Sequence, residues 1–144
     1  MKHEYKGLET KLIHGGEPKP RVEGSLILPI FQTSTFEFRG EDDYHDIRYL
    51  RLNNSPNHVS VGEKLAMIEN TEVAMVTSSG MAAISAAVMA NVSAGDHVMC
   101  HNSLYGGTNG LFTKDLPQWG VKSNFVDATN PDSWLAALTP ETKI

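Results

Sequence analysis

Three short stretches of the sequence carry side chains suited to binding a phosphate or a flat ring. The stretch TSSGMAAISAAVMA, residues 77–90, places two serines and a glycine before an apolar, alanine-rich run. If that run is a helix, its first N–H groups lack an intrahelical partner, and the helix dipole favours an anion there. Ser78 and Ser79 can add hydroxyl donors, and Gly80 lets a ligand approach the backbone closely. An ordinary helix cap at Ser79 explains the same pattern, and one glycine does not separate the two interpretations.

The second stretch is NSLYGGTNG, residues 102–110, which follows a predicted strand. Loops that leave the carboxyl ends of parallel strands gather at the edge where ligands of open α/β folds bind. Tyr105 can lay its ring against a flat ligand at that edge. The alternative is a buried tyrosine at a corner of the chain. An anion-binding turn and an aromatic ring at one edge suggest a planar phosphorylated ligand, and pyridoxal 5′-phosphate (PLP) is one such molecule.

The third stretch is RYLRLNNSPNH, residues 48–58. Tyr49 and Arg51 are two positions apart, so in an extended segment their side chains point the same way. A phenol and a guanidinium together form a suitable phosphate clamp. A solvent-exposed surface pair without a ligand is the alternative.

A metal site has little support in the sequence. His97, Cys100 and His101 lie close together in HVMCH. On a strand, the two histidines share one face while Cys100 points to the other, and no fourth ligand group has a comparable spacing. We therefore predict no metal.

From residue 61 onwards, the hydrophobic pattern alternates between helices and strands. Such an alternation predicts a mostly parallel sheet with helices on both faces. Two predicted helices cover residues 61–70 and 80–92, a third ends near Pro117 or Gly120, and a short fourth is capped by Asn130 with Pro131 as its first residue. The predicted strands cover residues 72–78, 97–101 and 121–126, and a fourth strand begins at residues 141–144.

Residues 1–60 have a different sequence pattern, since they are rich in glycine and proline turns and lack strong hydrophobic periodicity. Pro29, inside SLILPIFQTSTFEF, favours an irregular extended segment over a central strand. We predict an N-terminal arm over residues 1–60 that contacts a neighbouring subunit, and an incomplete α/β domain over residues 61–144.

The composition narrows the class of protein. The 144 residues are 40% hydrophobic and 20% charged, with a net charge of −5, which fits a globular protein and argues against nucleic-acid binding. Cys100 is the single cysteine, so no disulfide framework is expected. Neither a signal peptide nor an apolar run of membrane-spanning length is visible. These features predict a cytoplasmic protein without membrane contact.

With these pieces in place, the sequence resembles the trans-sulfuration (Cys/Met metabolism) family of PLP-dependent enzymes. This family includes cystathionine synthases and lyases, O-acylhomoserine sulfhydrylases and methionine γ-lyases. The resemblance implies the front of the large PLP-binding domain of an aspartate-aminotransferase-like (fold type I) enzyme. The matching stretches, in order, are TKLIHGG, LPIFQTSTFEF, YLRLNNSPN, LAMIEN, TSSGMAAISA, AGDHVM, NSLYGGT and WGV.

The resemblance implies a role for each candidate residue. Gly80 and Met81, with Ser79 beside them, would hold the phosphate of PLP. Tyr105 would stack on the pyridine ring and help to position it for proton transfer. Tyr49 and Arg51 would grip the PLP phosphate of the neighbouring subunit. The implied assembly is a homo-oligomer, usually a dimer of dimers, and the implied chemistry is γ- or β-elimination or replacement on cystathionine, activated homoserine or related sulfur amino acids.

Departures from the family pattern accompany the resemblance. Phe31 stands where a tyrosine is usual, RLNNSPN has one extra residue, and Gly107 stands where methionine γ-lyases carry cysteine. None of the eight lysines lies in the family's Schiff-base motif. We therefore expect an N-terminal fragment that has no turnover alone. The C-terminal part would come from the rest of the polypeptide or from a second chain that complements this one. The alternative is an inactive module that only binds a cofactor or dimerises.

Overall fold

The computed structural model describes residues 5–144, and the chain forms two compact units, residues 1–76 and residues 77–144. Each unit is described by itself. The division predicted from the sequence, an arm over residues 1–60 and an incomplete α/β domain over residues 61–144, stays a prediction.

In the first unit, helix α1 (Leu8–His14) packs against helix α2 (Pro56–Glu69). The glycine pair after α1 permits this close approach. A Cβ atom on Gly16 would lie 2.2 Å from the carbonyl oxygen of Ser60, and the φ angle of Gly16 is +72°. Both the space and the backbone conformation therefore require glycine at residue 16. The Ser60 hydroxyl also donates a hydrogen bond of 2.7 Å to the Gly16 carbonyl.

Helix α2 begins five residues earlier than the apolar spacing predicts. Ser55 caps it, accepting from the His58 N–H and lying 2.7 Å from the His58 Nδ1, and Pro56 occupies the first helical position. The cap is fully buried. Polar capping residues thus set the start of the helix, while the hydrophobic pattern detects only its later turns.

Between α1 and α2 the chain is irregular, as predicted for the segment around Pro29. It contains short 3₁₀ turns at Val22–Gly24, Tyr44–Asp46 and Leu50–Leu52, and an isolated antiparallel bridge between Thr35 and Tyr49. The side-chain amide of Asn57 takes the place of a strand partner for Phe31. It accepts from the Phe31 N–H at 3.1 Å and donates to the Phe31 carbonyl at 2.8 Å.

The strand predicted over residues 72–78 is wrong. No strand runs alongside this segment in the described part of the chain, and an isolated strand lacks the inter-strand hydrogen bonds that stabilise it. Its apolar side chains are largely exposed, with Val73 at 80% and Met75 at 65%. The sequence pattern indicates a buried strand, but this segment does not pair with any strand that the structure describes.

In the second unit, helix α3 (Gly80–Met89) precedes strand β1 (His97–His101). A continuous helical run follows, made of α4 (Gly106–Gly110), a π-helical turn (Leu111–Asp115) and α5 (Leu116–Gln118). Strand β2 (Lys122–Val126) and helix α6 (Pro131–Ala137) complete the unit. Asn130 caps α6 as predicted, accepting from the Asp132 N–H at 3.1 Å.

Strands β1 and β2 pair in parallel, from His97 opposite Lys122 to His101 opposite Val126. Residues 141–144 run along the other edge of β1, as the predicted beginning of a strand requires. The His97 N–H donates to the Glu141 carbonyl at 2.9 Å, and the Met99 N–H donates to the Ile144 carbonyl at 2.7 Å. β1 is therefore hydrogen-bonded on both sides.

The core of the second unit lies between β1 and the helices, where Val98 and Leu116 are fully buried. Trp119 follows the end of α5 and is 49% exposed. No helix in residues 5–144 has the length and apolar character needed to cross a membrane.

Candidate functional site

The N-terminus of α3 combines a helix cap with free donors. Ser79 has extended backbone, and its hydroxyl accepts a hydrogen bond of 3.1 Å from the Ala82 N–H. The Ser79 carbonyl accepts from the Ala83 N–H at 3.1 Å. The cap that the sequence suggests is therefore present, but it satisfies only the donors of the third and fourth helical residues.

The N–H groups of Gly80 and Met81 have no hydrogen-bond partner among residues 5–144. Gly80 is exposed, and a Cβ atom built on it would meet nothing within 4 Å. Two free N–H groups at the positive end of a ten-residue helix thus border open space. This arrangement fits a phosphate group, and the cap at Ser79 does not compete with it.

Tyr105 lies directly before α4, with its side chain 75% exposed. The alternative of a buried corner tyrosine is therefore wrong, and the ring is available to a ligand. Its edge lies against the bare Cα of Gly107. A Cβ atom on Gly107 would lie 2.9 Å from the Tyr105 Cε1 and 3.1 Å from the Met81 Sδ.

Packing of helix on helix, and not the end of a preceding strand, brings Tyr105 and the α3 N-terminus together. α3 contacts α4, and the Met81 side chain lies beside Gly107. The Thr108 hydroxyl also donates to the Met81 sulfur at 3.6 Å. The two features therefore occupy one region of the unit, although residues 72–78 form no strand before α3.

Tyr49 and Arg51 belong to the first unit, where they contact each other. The Arg51 Nε donates to the Tyr49 hydroxyl oxygen at 2.8 Å, and the Arg51 Nη2 donates to the same oxygen. Tyr49 has the predicted extended backbone and forms an isolated antiparallel bridge with Thr35, whereas Arg51 lies in the 3₁₀ turn Leu50–Leu52. The extended conformation predicted for the pair is therefore correct for Tyr49 and wrong for Arg51. Arg51 is exposed, and its Nη1 has no hydrogen-bond partner among the described residues.

Sequence reasoning missed the asparagines that hold this pair. The Asn54 side chain accepts from the Tyr49 N–H at 2.9 Å and donates to the Ile47 carbonyl at 2.8 Å. Asn53 ends the turn with a φ angle of +56°, in the left-handed region that asparagine tolerates. The asparagine pair in RLNNSPN was the available signal, since asparagine is typical of such turns.

Hydrogen bonds and burial shift the pKa values of Asp127 and Cys100. The Thr129 hydroxyl and N–H both donate to the Asp127 carboxylate, and they lower the pKa of Asp127 below its ordinary value. Burial raises the pKa of the Cys100 thiol, which keeps it protonated at neutral pH. No group of three or more histidine, cysteine, aspartate or glutamate side chains in residues 5–144 is arranged to hold a metal ion.

Comparison with known proteins identifies relatives with named activities. The chain is 42% identical over 148 residues to an L-methionine gamma-lyase of Porphyromonas gingivalis, covering 96% of this chain and 36% of the relative. It is 37% identical over 138 residues to a probable cystathionine gamma-synthase of Herpetosiphon aurantiacus, covering 96% of this chain and 43% of the relative. The chain thus spans about two fifths of the length of these curated relatives.

The fold has a close match among solved structures. A cystathionine gamma-lyase from Lactobacillus plantarum, complexed with L-serine, superposes with a TM-score of 0.84 at 32% identity. The match covers 95% of this chain and 35% of that structure. The predicted fold, the front of a fold type I enzyme, is thereby confirmed. The sequence also matches the Cys/Met metabolism PLP-dependent enzyme family over residues 9–144, and the chain belongs to that family.

Proposed function

We propose that this chain is the N-terminal part of a PLP-dependent enzyme that catalyses γ- or β-elimination or replacement on sulfur amino acids or activated homoserine. The relatives are named as enzymes of this type, including lyases and a synthase. The observation that carries the proposal is the pair of free N–H groups at Gly80 and Met81, beside the exposed ring of Tyr105.

When bound, PLP supplies the electron sink that stabilises a carbanion at the substrate's α-carbon. The residues of this chain would hold and orient it. Gly80 and Met81 donate their N–H groups to the phosphate, with Ser79 beside them as the helix cap. Tyr105 places its ring against the pyridine, and its hydroxyl group is available to hold or move a proton near the substrate.

Tyr49 and Arg51 bind the phosphate of PLP in a neighbouring subunit in this proposal. Their mutual hydrogen bond pre-orients the guanidinium, and the free Nη1 of Arg51 remains for an anion. The working unit is then at least a homodimer, and a dimer of dimers is the expected assembly. A cytoplasmic location is part of this proposal, and the buried free thiol of Cys100 and the family's role in Cys/Met metabolism support it.

The 144-residue chain by itself is proposed to have no turnover, because it carries no lysine in the family's Schiff-base motif. Covalent PLP chemistry needs such an amine to hold the aldehyde and to move the α-proton. The missing part would be supplied by the rest of the same polypeptide or by a second chain.

PLP binding by the complete protein tests the proposal. We expect the protein to turn yellow with PLP, to lose the colour on borohydride treatment, and to release a thiol or a 2-oxo acid from sulfur amino acids. A complete protein that stays colourless and does not bind PLP would refute it.

An inactive cofactor-binding or dimerisation module is the alternative. The exposed apolar side chains of the first unit, such as Leu26 at 76% and Ile30 at 82%, favour a role in assembly. Oligomer size and PLP affinity of the chain alone separate the two. A stable dimer that binds PLP, combined with a complete protein that has no turnover, would support the module.

A further inference from the structure

We infer that the Met81 side chain is a positioning residue that holds the Tyr105 ring in place, so that the phosphate site and the stacking ring act as one unit. This inference rests on the proposed function. It assigns a role to the Met81 thioether in addition to the backbone N–H that faces the phosphate.

The contacts around the sulfur carry the inference. Gly107 leaves just enough room for Met81 and Tyr105 to approach it together, since a Cβ there would lie 3.1 Å from the Met81 Sδ and 2.9 Å from the Tyr105 Cε1. The Thr108 hydroxyl, which is buried, donates to the same sulfur at 3.6 Å. Met81 itself packs against the hydrophobic core of the unit.

Tyr105 has little other support. Its ring is 75% exposed, and its hydroxyl group has no hydrogen-bond partner among residues 5–144. The backbone carbonyl of Tyr105 accepts from the Asn109 N–H at 2.9 Å, which fixes the main chain but not the ring. The ring edge and the Met81 thioether both border the Cα of Gly107, and we assign to this shared packing the position of the ring.

A double-mutant cycle in the complete protein tests the coupling. The variants are Met81→Ala, Tyr105→Ala and the double variant, and Met89→Ala is the matched control because Met89 lies on the same helix with its side chain half exposed. Dissociation constants are measured for PLP and for inorganic phosphate, which probes the N–H groups without a ring. The circular dichroism of bound PLP reports the ring's asymmetric surroundings.

We expect Met81→Ala to weaken PLP binding about two- to tenfold, the range that sulfur–aromatic contacts contribute. Phosphate affinity should stay unchanged, and Met81→Ala should cause no further loss when Tyr105 is already alanine. Met81→Leu, which keeps most of the volume, should restore both the affinity and the dichroism. The Met89→Ala control should have the PLP affinity and the dichroism of the wild-type protein.

If Met81→Ala folds poorly, Gly107→Ala applies the same test, because its Cβ would crowd both the Tyr105 ring and the Met81 thioether. Additive losses in the cycle, or an equal loss of phosphate affinity, would overturn the inference while leaving the proposed function intact. An unchanged protein that fails to bind PLP would refute the proposed function and the inference with it.

Discussion

Replacing Ser79 with aspartate separates the two roles of the α3 N-terminus, the helix cap and the anion site. Aspartate is as good an N-cap as serine, so its carboxylate can accept from the Ala82 N–H as the serine hydroxyl does at 3.1 Å. A negative charge at that end also interacts favourably with the helix dipole. Ser79→Asp should therefore leave the stability of the second unit within about 0.5 kcal/mol of the unchanged protein.

The same carboxylate should repel a bound phosphate. The N–H groups proposed to bind the phosphate belong to Gly80 and Met81, the next two residues, which places the two charges roughly 5 Å apart. At that distance each pair of unit charges costs about 0.8 kcal/mol in water and about 3 kcal/mol at an effective dielectric of 20. PLP affinity should fall by about fourfold to more than a hundredfold.

The assay pairs urea unfolding with PLP titration, and Ser79→Ala is the matched control. Alanine loses the cap, so it should destabilise the unit by about 1 kcal/mol but add no charge at the phosphate site. The reasoning would be refuted by a Ser79→Asp protein that binds PLP as tightly as the unchanged protein. Raising the salt concentration should reduce the difference between the two.

Three further predictions concern the stability of the two units. Gly16→Ala should destabilise the first unit by about 2 kcal/mol or more, because the alanine Cβ would meet the Ser60 carbonyl and the φ angle of residue 16 is positive. A melting temperature equal to that of the wild-type protein would contradict this. Thr142→Val should lower the free energy of unfolding, measured with urea, by about 1–3 kcal/mol, because it removes the hydroxyl that lies 2.8 Å from the Nδ1 of buried His97. The control Thr142→Ser keeps the hydroxyl and should not lower it. For Asp127, hydrogen bonds from Thr129 lower the folded-state pKa below 3.8, so the stabilisation is full above the unfolded-state pKa and is lost as the pH falls through the folded-state value. The stability difference between the unchanged protein and Asp127→Asn should therefore shrink in acid, and a constant difference would show that the carboxylate has no such role.

The sequence predicts the second unit well because its signals are local. Asn130 with Pro131, the apolar run of β1 and the serines before α3 each determine nearby structure through capping, burial or turn chemistry. The phosphate-binding candidates follow from the same kind of pattern. The sequence pattern does not predict that these residues lie beside Tyr105. That proximity depends on the bare Cα of Gly107 and on the Met81 thioether, which no spacing rule reveals.

Where the prediction fails, the missing information is non-local. Residues 72–78 have the composition of a buried strand, yet a strand needs a neighbour, and the described chain supplies none. Tyr49 and Arg51 meet across a 3₁₀ turn held by the Asn54 side chain, which a pattern of alternating residues cannot show. Gly16 is required by contact with a helix more than 40 residues further along the chain.

The most direct test of the central claim is a crystal structure of the complete protein with PLP. We expect phosphate oxygens at about 2.7–3.2 Å from the backbone nitrogens of both Gly80 and Met81, with the Tyr105 ring against the pyridine. A phosphate bound elsewhere, with those two N–H groups still unpaired, would contradict the account.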